Sequence, residues 1–459
     1  MTSALFSPIR LSDLTLDNRI VVSPMCQYSA DDGSATDWHL GHLAMLANSG
    51  ADLVVVEATH VERRGRITHG CLGLYSDDNE AALARVIAHC RRVGTAKLGI
   101  QLAHAGRKAS SYRPWEGGLG LKQDDDPWET IAPSAIAFGN AWSAPRAMTR
   151  DDMDRVRDAF VASARRAVRL GFDAVELHMA HGYLLHSFMS PIANHRSDEY
   201  GGSHAARLRF PLEVARAVRA VVPPSLPLGA RITGSDWSEG GLTPDDGLAL
   251  AKALKEMGLD FLCVSSGGIT AEVKIALGPG YQVPFAEKVR REVGIPTRAV
   301  GLIATPQQAE AILADGKADM IALARAMLDD PRWGWHAAQA LAGDVKRPPQ
   351  YARAAPKLAG SGLSRLTGAG GRETVEVRMV RSSAIAMLFA VMTLCACAEG
   401  ASAKNARARP SAAHRSASAT RQAVMRKKPP VAPTPRQDEK SWMDRASTPS
   451  DSGGGGGGM

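Results

Sequence analysis

From about residue 18 to residue 345, short apolar runs alternate with stretches whose apolar residues recur every three or four positions. The runs are Arg19–Met25, Leu53–Ala58, Lys97–His104, Ala174–Ala180, Leu228–Thr233, Phe261–Ser266, Thr297–Ile303 and Met320–Ala324. They are apolar rather than alternating, as strands covered on both faces read. Asn79–Val93, Asp151–Leu170, Ala206–Val222, Pro244–Met257 and Pro306–Leu313 carry the helical period. Asp151, Thr243-Pro244 and Thr305-Pro306 are good helix openings, and Gly94, Gly171, Gly258 and Gly316 sit where helices end. Strand followed by helix, eight times over, predicts an α/β fold, a (β/α)₈ TIM barrel. A doubly wound open sheet competes, but its GxGxxG fingerprint is missing after Val21-Val22. The longest excursion, residues 105–149, follows the third strand and suits a lid over a barrel mouth.

The pattern stops near residue 358, and the composition changes with it. From residue 359 onward the chain holds 15 Lys+Arg against 7 Asp+Glu, which accounts for the whole net charge of +8. The body is therefore neutral, and no basic footprint calls for nucleic acid or a membrane. The expected domains are a barrel over 1–358, a Gly/Ser-rich linker over 359–378, an apolar segment over 379–403 and an unfolded basic tail over 404–459. A basic start, an apolar run ending Leu394-Cys395-Ala396-Cys397 and a small-residue finish give 379–403 the layout of a secretory or lipoprotein signal. It is short for a spanning helix. An internal signal suggests a second reading frame fused to a complete enzyme, with a genuine tail anchor as the alternative. The six cysteines form no CxxC pairs, so a reducing cytoplasm is the expected setting of the body.

Chemistry collects at the carboxyl ends of strands in parallel α/β folds. Behind the fourth run stands HMAHGY, with His178, His181 and Tyr183. A neutral histidine can donate to a substrate oxygen and a tyrosine can hand over a proton. A zinc pair or two satisfied core histidines are the bland alternatives. The other strand ends supply Ser23-Pro24-Met25-Cys26-Gln27-Tyr28, Glu57-Ala58-Thr59, Gln101 to His104, Arg231, Ser265-Ser266-Gly267-Gly268 and Ala324-Arg325. Backbone N–H groups and a late arginine after strands seven and eight form the usual phosphate site of this architecture. Such a mouth suits a flat, polar, phosphorylated cofactor.

The motifs SPMCQY (23–28), WHL (38–40), VVEAT (55–59), QLAHAGRKA (101–109), VELHMAHGYLLHSFMSPIANHRSDEYGGS (175–203), RI (231–232), VSSGG (264–268) and LAR (323–325) resemble the old yellow enzyme family. The resemblance covers roughly residues 4–356 and is nearest to the bacterial xenobiotic-reductase branch with a cysteine beside the flavin. It implies FMN at the barrel mouth, lined by Ser23, Pro24, Met25, Cys26, Ala58, Gln101, Arg231, Gly268, Gly301, Ala324 and Arg325. It implies NADPH or NADH as the reductant and activated alkenes as substrates. By the same resemblance His178 and His181 hold the substrate oxygen, Tyr183 is the proton donor and Tyr28 a second hydroxyl toward the substrate. Cys26 takes a redox-tuning role rather than a nucleophilic one, and Cys71, Cys90 and Cys263 read as packing residues. Ala324 stands where the family has glycine, which puts the closeness of the phosphate contact in doubt. Gln350-Tyr351-Ala352-Arg353 is similar to a segment that reaches into a neighbouring subunit, which makes Arg353 a candidate substrate contact in a homodimer or dimer of dimers. Longer relatives such as dienoyl-CoA reductases or amine dehydrogenases carry an iron–sulfur cluster and further domains, for which no cysteine cluster is found. A membrane-tethered lipoprotein dominated by the tail is the reading from another class.

Overall fold

The structure, a computed structural model, describes residues 3–354, and the linker, apolar segment and tail expected beyond residue 358 lie outside the described residues. Eight parallel strands close into a barrel. They are β1 (Ile20–Val22), β2 (Leu53–His60), β3 (Lys97–Ala103), β4 (Ala174–Met179), β5 (Leu228–Thr233), β6 (Phe261–Ser265), β7 (Thr297–Ala299) and β8 (Met320–Leu323). Each pairs with its sequence neighbour, and Ile321 on β8 aligns with Ile20 on β1 to complete the ring. A two-stranded hairpin, Ile9–Leu11 with Leu14–Leu16, precedes the barrel.

The outer layer holds α1 (Asp37–Leu46), α2 (Asp77–Val93), α3 (Arg150–Arg169), the short α4 (Leu184–Met189), α5 (His204–Arg219), α6 (Pro244–Glu256), α7 (Val283–Val293) and α8 (Pro306–Ala314), with α9 (Arg325–Asp329) and α10 (Trp333–Ala340) at the end. Their starts are written locally. Thr149 accepts the Asp152 N–H at 3.2 Å while Asp152 accepts the Thr149 N–H at 2.9 Å, and Thr243 and Asp246 repeat the exchange for α6. Each such cap satisfies helix N–H groups that the helix itself cannot, contributing about 1 kcal/mol. Every residue of β2, β4, β5 and β6 is buried, which is why these segments read as continuous apolar runs.

Buried polar residues interrupt these runs, and three of them meet inside the barrel. Glu176 on β4 pairs with Arg298 on β7 and accepts Gln101 Nε2 on β3 at 2.7 Å. A buried carboxylate and guanidinium persist together because either alone would be an uncompensated charge. Residues 105–149 contain short 3₁₀ turns, an antiparallel bridge between Ser111 and Gly120 and a two-residue ladder, Ile131–Ala132 beside Arg146–Ala147. Among the described residues no helix is long and apolar enough to cross a membrane.

Candidate active site

The carboxyl ends of β4 to β8 surround one cavity of about 750 Å³, within the size range of cofactor and small-molecule sites. Of the residues singled out in the sequence, His181, Tyr183, Arg231, Gly268, Gly301, Ala324 and Arg325 line it. Tyr28 and Tyr183 share a narrower cleft beside it, with Lys108 common to both spaces. His178 lies buried directly behind His181. Ser23, Pro24, Met25 and Cys26 follow β1 directly, Ala58 and Gln101 lie two residues before the ends of β2 and β3, and none of the six lines the cavity. Arg353 is not in its own chain's site. Its segment, Pro349–Ala354, packs outside the barrel, where Tyr351 meets the Trp335 ring at 5.7 Å and Arg332 at 4.5 Å.

The turn after β4 is shaped by its sequence. His181 has φ 59°, rare for a residue with a side chain. Gly182 follows at φ 72°, and a Cβ there would meet the Gly268 carbonyl oxygen at 2.0 Å, so only glycine lets this turn lie on the loop after β6. Lys108 ties the same two loops, donating to the His181 carbonyl at 2.9 Å and the Gly268 carbonyl at 3.2 Å. Burial, and then Arg107, lowers the Lys108 amine to about 7. His186 supports the turn from below: its Nδ1 accepts the Gly182 N–H at 2.7 Å and its Nε2 pairs with buried Asp236 at 2.8 Å.

Hydrogen bonding sets the histidine protons. His178 Nδ1 accepts the Ala180 N–H at 3.2 Å, which leaves the proton on Nε2. That N–H faces His181 Nδ1 at 3.3 Å, so His181 carries its proton on Nε2, toward Ser265 Oγ at 2.7 Å. Burial, and then Arg231, holds both imidazoles well below their usual pKa, so both are neutral at pH 7. Tyr183 opens α4 with its ring 4.8 Å from that of His178. Burial, and then Cys26, pushes its hydroxyl well above the ordinary value, so it keeps its proton.

The sequence between β1 and α1 is fixed by a bulge. Val56 pairs with Ile100 and Ala58 with Gln101, so Glu57 is an extra residue in β2. Its carboxylate accepts the Gln27 N–H at 3.0 Å and meets His39 Nε2 at 3.3 Å, holding the Cys26–Tyr28 turn. Burial, and then Glu57, pushes the Cys26 thiol well above its ordinary value, which favours a neutral thiol over a nucleophilic thiolate.

Lys108 and Ser265 are functional candidates to which the sequence assigned no role. Lys108 was visible as a cation one turn past a buried strand, whereas the contact of Ser265 with His181 follows only from three-dimensional proximity.

The depressed histidines also bear on stability. The unfolded state takes up protons near pH 6.5, while His60, lowered to about 3 by burial, and His178 resist them. Stability is therefore full above pH 6.5 and is lost as pH falls. Thermal melting should show a midpoint flat from pH 7 to 8 and falling between pH 6 and 4. A midpoint unchanged down to pH 4.5 would contradict the buried neutral state.

The mouth fits FMN. Ser23 Oγ and Arg231 Nε are buried there with no hydrogen-bond partner in the protein, and buried polar atoms are rarely left so. Arg231 and Arg325 both line the cavity and suit a ligand that carries negative charge. Among the described residues no cluster of three or more His, Cys, Asp or Glu could hold a metal ion.

Residues 4–344 match the family model described as the NADH:flavin oxidoreductase / NADH oxidase family. The chain is 45% identical to an NADPH dehydrogenase of Geobacillus thermodenitrificans, over 77% of this chain and 99% of that one. It is 43% identical to an NADPH dehydrogenase of Bacillus velezensis, over 77% of this chain and 100% of the other. Among solved structures it is similar to morphinone reductase, at TM-score 0.63 and 27% identity, covering 76% of this chain and 93% of that one. A (β/α)₈ barrel whose strand ends gather two neutral histidines, a protonated tyrosine and buried donors without a protein partner thus belongs to the NADH:flavin oxidoreductase family, the old yellow enzymes, as an NAD(P)H-oxidising flavoenzyme that uses FMN.

Proposed function

We propose that this protein is an ene-reductase, reducing activated alkenes such as enones and nitroalkenes at the expense of NADPH or NADH. One observation carries the reading: His181 and Tyr183 line the same cavity as Arg231 and Arg325, with His178 directly behind His181. FMN would be held by Ser23, Pro24, Met25, Cys26, Ala58, Gln101, Arg231, Gly268, Gly301, Ala324 and Arg325. Bound there, it would supply hydride chemistry between the nicotinamide and the alkene β-carbon.

The protein's own groups do the rest. His178 and His181 donate N–H bonds to the substrate carbonyl or nitro oxygen and so polarise the alkene. His178 has its proton on the nitrogen that faces His181, the position an incoming oxygen can take over. His181 can present its own proton on Nδ1 because the Ser265 hydroxyl can donate as readily as it accepts. Tyr183 delivers a proton to the α-carbon, and its raised pKa keeps that proton available at neutral pH. Tyr28 adds a second hydroxyl from the cleft it shares with Tyr183, and Cys26 acts on the flavin as a neutral thiol.

The working unit is a homodimer or dimer of dimers in which Arg353 reaches a partner's substrate site, consistent with its placement away from its own. The free thiols of Cys26, Cys71, Cys90 and Cys263 suit the cytoplasm. Residues 1–358 form the catalytic domain, and 379–403 derive from a fused signal-like segment rather than from the enzyme. The test is NADPH oxidation by the FMN-loaded protein with and without 2-cyclohexenone. Alkene-dependent turnover with a saturated product supports the reading, and NADPH consumption indifferent to the alkene refutes it.

A further inference from the structure

The strap between β3 and α3 forms a hairpin over the edge of the barrel mouth. Residues 110–121 fold back on themselves: the Tyr112 N–H donates to the Leu119 carbonyl and the Leu121 N–H to the Ser110 carbonyl, each at 2.8 Å. The base of this hairpin is docked, since Trp142 Nε1 donates to Ser111 Oγ at 2.9 Å. Its Gly120 lies so near the Ala141 carbonyl oxygen that a Cβ would meet it at 2.5 Å. The tip is braced by Glu116, which accepts the Arg113 N–H at 3.0 Å and pairs with Arg113 Nη1 at 2.9 Å.

This braced tip rests on Tyr28. Arg113 Nε donates to the Tyr28 carbonyl at 3.0 Å, and the Trp115 ring stands edge-on to the Tyr28 ring at 5.8 Å and 80°. Tyr28 itself has φ 51°, a conformation that costs a residue with a side chain and needs the surroundings to hold it. Tyr28, Tyr183 and Lys108 share a narrow cleft of about 20 Å³ with Tyr112 and Pro114 of the strap. Trp115 does not line this cleft but packs on the Tyr28 ring that does, and it is 67% exposed, more than any other large hydrophobic residue among those described. A tryptophan fixed by a braced turn yet left in water has apolar area to offer a ligand rather than the core.

We propose that Trp115 is a specificity-determining residue: with Tyr28 it forms the outer wall of the substrate pocket and stacks on the far ring of flat, fused-ring substrates. Arg113 carries the tip's position to Tyr28, so wall and tyrosine are set together. The proposal rests on the ene-reductase reading, because it takes the ligand's oxygen to be held at His178 and His181. A single small ring held there leaves Trp115 untouched, whereas a second fused ring would pass beyond Tyr28 to the exposed face of Trp115.

The experiment titrates the FMN-loaded protein with phenol and with 2-naphthol, following the flavin absorption shift, in the wild type, Trp115→Ala and Trp115→Phe. Loss of one aromatic contact weakens binding about five- to tenfold. W115A should therefore weaken 2-naphthol by that factor and phenol by less than about twofold, with W115F recovering most of the loss. Equal weakening of both ligands, or of neither, overturns the proposal while leaving the ene-reductase reading standing. If neither ligand shifts the wild-type flavin, the ene-reductase reading fails and the proposal falls with it. Trp115 is too exposed for its removal to unfold the chain.

Discussion

Replacing His178 and His181 together by alanine should abolish the phenol-induced shift of the flavin spectrum and lower alkene reduction at least about a thousandfold, with FMN still bound. The magnitude follows from the loss of oriented donors at a developing negative charge, where a single donor is worth about 10²–10³ in rate. The two act as a unit, since they meet at 3.3 Å and share a neutral state set by burial and Arg231. Their effects should thus be non-additive, each single variant losing most of what the pair loses. Cofactor binding should survive, because the expected flavin contacts lie mainly on the other strand ends. Stopped-flow spectroscopy separates the two half-reactions: reduction of the flavin by NADPH should fall far less than its reoxidation by 2-cyclohexenone. Full retention of the phenol shift in the double variant would remove both histidines from the substrate site.

Tyr183→Phe carries the second largest expected effect. A positioned general acid contributes about 10²–10⁴, and Tyr183 is the protonated hydroxyl that lines the cavity beside the histidines. Reoxidation by 2-cyclohexenone should slow by that factor while phenol binding changes little, since the phenol's oxygen is held by the histidines. Nitroalkenes should be spared in part, because a stabilised nitronate can leave and take its proton from water. Equal slowing of NADPH oxidation and alkene reduction would mean that Tyr183 shapes the pocket rather than delivering a proton. An alkene reduction rate within threefold of wild type would end its assignment as donor.

The barrel was legible because its strands are covered on both faces, so each announces itself as an apolar run with no alternation. The run Arg19–Met25 is trimmed to Ile20–Val22, since Pro24 has no N–H to give a neighbouring strand. The helix Asp37–Leu46 was missed because its apolar residues are spread around its circumference rather than along one stripe. Val283–Val293 was passed over behind the glycine-rich stretch from Gly267 to Gly280, although its own period is clear. Candidate site residues at strand ends could be named because the strand pattern itself fixes where they stand. What could not be found were encounters between loops: Ser265 with His181, Lys108 with two backbone carbonyls, and Trp115 with Tyr28. None of these pairs has a spacing rule, as each depends on how two excursions fold over the mouth.

The central claim is that this barrel mouth holds FMN as a hydride relay between a nicotinamide and an activated alkene. Its most direct measurement is the anaerobic absorption spectrum of the purified full chain after FMN supplementation and removal of unbound cofactor. A retained yellow flavin that bleaches on adding NADPH and returns on adding 2-cyclohexenone is the expected result. A protein that keeps no flavin, or a bleached flavin that the alkene leaves reduced, would contradict it.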